Sequence, residues 1–144
     1  MAFTGNFICN SFKEQLFEGV HTFGPSGDQF KLALYDNNAT FTAATTAYTS
    51  ANEMPASGSY VAGGGNLTSL EPVVSNGIVL ISFVDLLFTG VDFGPFGALI
   101  YNSSVAGNPA VCVIDFDGEK SAVNQNMEIR FPPVTSTSAF LRFR

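Results

Sequence analysis

The chain alternates short apolar runs with clusters of Gly, Asn, Pro and Ser, and most runs have the length of strands rather than helices. The strongest pair lies within 94–117. Ala98–Tyr101 is entered through Gly94, Pro95 and Gly97, and Ala110–Phe116 is rich in β-branched residues. The connector 102–109, Asn-Ser-Ser-Val-Ala-Gly-Asn-Pro, is dense in turn formers. Both runs are too continuously apolar for one face to be wetted. The pattern therefore predicts a central hairpin, covered on both sides by the rest of the chain or by a partner subunit.

Other strands follow from the same reading. Phe30, Leu32 and Leu34 alternate with Lys31, Ala33 and Tyr35. Tyr60–Gly65 leads through a glycine triplet, read as a bulge or tight bend, into a strand at Asn66–Leu70. Val73–Val74 and Ile78–Val84 flank Ser75-Asn76-Gly77, and Asn-Gly between apolar runs signals a hairpin. Asp85–Asp92 either continues that strand or loops over the core. Met127–Phe131 alternates before Pro132-Pro133 ends it. Ala139–Phe143 closes the chain as an edge strand, with Arg142 and Arg144 toward solvent or a partner carboxylate. The segment Asp36–Ser59 is a long ordered loop with a helical turn at Ala43–Tyr48, and its length marks it as a binding surface.

One helix is expected, over 11–20. Ser11-Phe12-Lys13-Glu14 has the form of a capping box, which predicts a loss of about 1 kcal/mol for Ser11→Ala. Phe12, Leu16 and Val20 share a face. His21 falls at the helix end, where a cation is favoured, and Gly24-Pro25 stops the helix. Residues 1–10 form an apolar N-terminal arm, extended over a neighbouring subunit or paired within its own domain. Residues 11–144 form a single β-rich domain. The fold class is mainly β: a β-sandwich or jelly-roll-like fold, or a small barrel, with one short N-terminal helix.

Composition narrows the function. Charged residues are 12% of the 144, about half the usual share. Such a surface is polar but uncharged, or is buried against neighbours. Phe supplies 15 aromatic residues and Trp none, an excess that suggests subunit contacts. A net charge of −6 with six cationic side chains argues against nucleic acid and anionic membrane as partners. The longest apolar run, Ile78–Phe88, is broken by Ser82 and Asp85 and is too short for a span. Lys13 and Glu14 interrupt the early apolar run, so no signal peptide is expected.

No reaction centre emerges, so no catalytic, cofactor-binding or metal-ligating residue is assigned and the chain is not expected to be an enzyme. His21 is the sole histidine and has no nucleophile motif around it, which favours a packing or helix-end role. Cys9 and Cys112 are expected as buried free thiols, too few with one His for a zinc site. Asp115, Asp117 and Glu119 could face one way for calcium but lack a binding-loop spacing, and read better as a solvated turn. The sequons at Asn38, Asn66 and Asn102 are taken as chance matches.

A likeness is carried by several segments in order. These are Asn10–Phe23, Asp28–Tyr35, Thr45–Tyr48, Asn52-Glu53, Gly58–Gly64, Gly97–Ser103 and Ala110–Phe116. Together they resemble a family of small virion proteins of tailed bacteriophages. The likeness covers most of the chain, is weakest over 71–93, and departs from the family pattern at Phe93-Gly94-Pro95-Phe96. It implies a capsid decoration (cement) protein, made in the host cytoplasm and carried on the outer capsid surface. The implied partners are the major capsid protein and further copies of the chain, with a trimer among the fitting assemblies. The arm 1–10, the loop 36–59 and the C-terminal edge strand are the expected contacts. Two alternatives are a tail or baseplate subunit, and a host-attachment carbohydrate-binding module using Tyr35, Tyr48, Tyr60 or Tyr101 as a shallow patch.

Overall fold

A computed structural model describes residues 3–134 and 139–143. In chain order its elements are β1 (Phe7–Ile8), α1 (Asn10–Phe17), β2 (Phe30–Tyr35), β3 (Gly65–Leu67), β4 (Val73–Ser75), β5 (Ile78–Ile81), β6 (Leu86–Phe93), β7 (Gly97–Asn102), β8 (Ala110–Asp115), β9 (Ala122–Ile129) and β10 (Leu141–Phe143). Three antiparallel sheets result: β1-β8-β7-β2-β3, β10-β5-β4 and β6-β9. The fold is mainly β and sandwich-like. Among the described residues no sheet closes on itself, so the barrel alternative is not the one that forms.

The predicted hairpin is the centre. Every residue of β7 is buried, as are the first four of β8. Leu99 pairs with Val113 and Ile100 with Cys112, while β2 takes the other edge of β7 from Phe30↔Asn102 to Tyr35↔Gly97. On one face, the Phe23 ring stacks on Phe30 at 4.6 Å and Phe83 lies 5.9 Å from it. Phe83 also meets Phe131 and Phe140 at 5.4 and 5.3 Å, which ties the smaller sheets to the large one. On the opposite face, Tyr48 stacks on Tyr101 at 4.6 Å and Phe41 meets the edge of Tyr35 at 4.8 Å. The cover on that side is the long loop, not a strand. Of the phenylalanines, six are buried and seven more pack against the core. Most of them are thus used within the chain, and Phe17 and Phe143 are left outward.

Local signals explain the other elements. Asn76 and Gly77 both have positive φ, 53° and 76°, as the type I′ turn between paired Ser75 and Ile78 requires. Residues 86–93 neither continue the preceding strand nor form a loop: β5 stops at Ile81, and 86–93 are a separate strand, β6, paired with β9 in another sheet. β9 begins earlier than the alternation from Met127 suggested, and Phe131 lies beyond it. Residues 43–44 form a turn and Ala47 bridges Pro109, so no helical turn forms there.

The helix differs at both ends from the capping-box reading. It starts at Asn10 with Cys9 as N-cap and no side-chain cap bond. Cys9 N–H still donates to Val111 O at 2.9 Å, and Asn10 N–H donates to Ala43 O at 2.8 Å. Sheet pairing and the long loop, not Ser11, satisfy the first helical donors. The end is a Schellman arrangement: Gly19 N–H donates to Leu16 O and Val20 N–H to Gln15 O, so Val20 lies outside the helix. The Ser11 hydroxyl is buried with no partner among the described residues. Ser11→Ala is therefore expected to leave chemical-denaturation stability unchanged or raise it by up to about 1 kcal/mol. A loss of about 1 kcal/mol would restore the capping box.

Residues 3–10 lie within the domain. β1 pairs with β8 through Phe7↔Val113 and Ile8↔Cys112, and Phe3 is buried. A Cβ on Gly97 would collide with the Phe3 ring and the Ile114 carbonyl oxygen. Gly97→Ala should lower the urea midpoint by the equivalent of about 1–3 kcal/mol. An unchanged midpoint would mean that Phe3 does not sit on β7.

Candidate interaction surface

The three contact segments predicted from sequence have different fates. The arm is committed to its own domain. Phe3 N–H donates to Asn37 Oδ1 at 2.9 Å, Gly5 N–H to Asp115 Oδ2 at 3.1 Å, and Asp115 N–H to Asn6 Oδ1 at 2.7 Å. As far as it is described, the arm is thus not a free contact for a neighbour.

The loop 36–59 is held by backbone bonds to β2 and to residues 108–110, and by one carboxylate. Met54 N–H donates to Leu34 O at 2.8 Å, and Asp36 N–H to Asn52 O at 3.0 Å, so 52–54 runs along β2 beyond the end of β3. This lays Glu53 beside the tyrosines. Glu53 Oε2 accepts from Tyr48 Oη at 2.6 Å, and Oε1 accepts from Tyr60 Oη at 2.8 Å and Gly63 N–H at 2.7 Å. Tyr60 Oη in turn accepts the Leu34 N–H at 2.9 Å, a donor for which the sheet has no strand at that position. Tyr35 Oη donates to Thr49 O at 2.6 Å and Tyr101 Oη to Gly63 O at 2.5 Å. Burial, with the Glu53 charge adding to it, raises all four phenol pKa values, that of Tyr101 to about 12. The neutral phenols' stabilisation is intact below about pH 10 and is lost as pH rises through the raised values.

This geometry removes Tyr35, Tyr60 and Tyr101 from the carbohydrate patch and leaves Tyr48 half-buried, stacked on Tyr101 with its hydroxyl on Glu53. Tyr35 and Tyr60 are completely buried and Tyr101 nearly so, and their hydroxyls are already bonded. They cannot present a shallow stacking surface. Sequence reasoning missed Glu53, yet a signal existed: it is the sole charged residue between Asp36 and Glu71 and lies between Tyr48 and Tyr60. Glu53→Gln should cost about 2–3 kcal/mol in urea unfolding, because charged acceptors for two phenols and a backbone N–H are weakened together. A change below about 0.5 kcal/mol, the range of an ordinary surface substitution, would contradict the hub.

The C-terminal strand is an outward edge of its sheet. β10 pairs with β5 on one side, with Phe143↔Val79 and Leu141↔Ile81, and Val79 pairs onward with Val74. This register places Val74, Val79 and Phe143 in one row across the sheet. They are 70%, 36% and 43% exposed. Arg142 is exposed in the same strand, while Arg144 lies outside the described residues. Next to this strand, Phe140 lines an apolar groove of about 600 Å³ with Ile114, Phe116, Met127, Ile129 and Phe131. Lys120, and Arg130 in its ion pair with Glu128, stand at the groove. Phe17 stands 94% exposed on α1, between exposed Glu14 and Glu18.

Residues considered for chemistry are placed structurally. Asp115 accepts Gly5 N–H with one oxygen and Asp117 N–H with the other, a strand-end turn. Among the described residues no three His, Cys, Asp or Glu side chains group as metal ligands. Cys9 and Cys112 are buried free thiols, and burial pushes the Cys9 thiol up to about 11 and that of Cys112 higher still. Asn102 is fully buried with its amide engaged, so its sequon is not accessible. His21 is buried in packing contacts rather than standing as a free cation at the helix end. Among the described residues no helix is long and apolar enough to cross a membrane.

Compared with known proteins, the chain matches no family model, no curated protein and no solved structure.

Proposed function

We propose that this chain is a structural protein of a tailed-phage virion, a decoration subunit that attaches to the outer capsid surface and strengthens it. The observation that carries the adhesive part of this reading is the exposed row Val74–Val79–Phe143, aligned by strand register next to a sheet edge. Apolar side chains aligned across a sheet offer a contact area that scattered ones do not. The low charge of the chain keeps the desolvation cost of burying such a face small. The viral part rests on the ordered segments that resemble small phage virion proteins, Asn10–Phe23 and Gly97–Ser103 among them.

In this reading the major capsid protein is the partner, and each copy binds weakly. Repetition over a symmetric lattice, with contacts between copies, raises the avidity. A rigid subunit suits the task, since a surface already ordered loses little entropy on docking. The Glu53 hub and the covered central hairpin supply that rigidity. No chemistry is required of any side chain.

The test is co-sedimentation of the purified chain with phage capsids lacking it, followed by heating. Binding should saturate at a fixed ratio to the coat protein and raise the temperature at which capsids open. The substitutions Val74→Asp and Phe143→Ser should abolish co-sedimentation while moving stability by no more than about 0.5 kcal/mol each. A chain that stays in the supernatant, or variants that bind as well as the parent, would contradict the proposal.

A further inference from the structure

His21 is held by three elements at once. Its Nε2 lies 2.8 Å from Gln15 Oε1 of α1, and its Nδ1 lies 3.0 Å from Asn102 Nδ2 at the end of β7. The ring packs on Phe12 of α1 at 4.9 Å and on Phe30 of β2 at 6.1 Å. The orientation of the Asn102 amide is decided by other groups. Nδ2 donates to Asp28 Oδ2 at 2.8 Å, and Oδ1 accepts the Ser104 N–H at 2.9 Å. Turning the amide would set oxygen against carboxylate and nitrogen against N–H. The second Nδ2 hydrogen therefore points at His21 Nδ1, which must accept. The ring is neutral, with its proton on Nε2, and donates to Gln15. Asp28 Oδ2 also accepts the Thr22 N–H at 2.8 Å, which joins the 22–28 turn to the same network.

We propose that this network is an acid-released latch, which docks α1 and the 22–28 turn onto the end of the central hairpin while His21 is neutral and lets them go when it is protonated. A proton added at Nδ1 faces the Asn102 N–H, so two donors meet in a buried site. No amide rotation relieves this without breaking the bonds to Asp28 and Ser104. Asp28 is the charged group acting on the ring, and it favours the cation. Burial opposes the cation more strongly and lowers the His21 pKa from its ordinary 6.5. The other facing groups are uncharged: Gln15 and Phe12 from α1, Phe30 from β2 and Asn102 from β7. Lys13, Glu14 and Glu18 of α1 are exposed.

The sign follows from linkage. The folded value lies below the unfolded one, so the latch is complete above pH 6.5 and is lost as pH falls toward the folded value. Each unit of that depression corresponds to about a tenfold change in the opening equilibrium. The β2-β7-β8 block does not hang on His21, so the opening is local to α1 and the turn.

The test is NMR on the full chain. Ring nitrogen shifts should show protonated Nε2 at about pH 7.5, with a single His21 titration below 6.5. Between about pH 7.5 and pH 5, amide protection, corrected for intrinsic exchange, should fall in Asn10–Phe17 and at Ser104 while the middle of β7 stays protected. Asn102→Asp places an acceptor opposite Nδ1 and should raise the His21 titration above 6.5. If that variant does not fold, the parent titration decides alone. Titration at or above 6.5 in the parent, a proton on Nδ1, or unchanged α1 protection until the whole chain unfolds would each overturn the latch.

Discussion

The structure depends on covering two strands that tolerate water on neither face. β7 is buried along its whole length and β2 nearly so. At about 25 cal/mol per Å² of apolar area, leaving either face open would cost more than a domain of this size has to spare. Both faces must therefore be covered by one chain of 144 residues, and the two covers are built differently.

One cover is apolar. Phe23, Phe83, Phe131 and Phe140 bring the two smaller sheets against Phe30 through ring contacts, so two strand layers form without a shared ladder. The other cover is a polar loop that could not hold by hydrophobicity alone. It uses Tyr48 and Phe41 as apolar contacts and the Glu53 carboxylate to draw the phenols and the 63 backbone together. A half-buried carboxylate with several donors is a strong, directional tie. The consequence for function is a division of surfaces. The loop side spends its aromatic groups internally, whereas the β4-β5-β10 side leaves an aligned apolar row outward.

Much of the fold was legible because its signals are local. Alternation gave 30–35, Asn76-Gly77 gave the β4–β5 hairpin, and continuous apolar runs gave a hairpin covered on both sides. What misled were signals that tertiary pairing overrides. Ser11 and Glu14 have capping-box spacing, but the ladder bond from Cys9 to Val111 sets the helix start earlier. Three of the four tyrosines proposed for a shallow patch are turned inward: Tyr35 lies in β2, Tyr101 in β7, and Tyr60 reaches the Leu34 N–H. Of the expected contact segments, the edge strand remains outward, the described part of the arm pairs inward, and the loop is pinned. The row itself could not be read from sequence, since it depends on which residues of three separate strands stand opposite one another.

The claim that matters most is that this chain works by attachment to a virus shell. Cryo-electron microscopy of whole particles tests it most directly. The account predicts symmetric copies spread over the outer capsid, with the β4-β5-β10 face turned toward the coat subunits. Particles without the chain, or copies confined to a single ring or fibre, would contradict it.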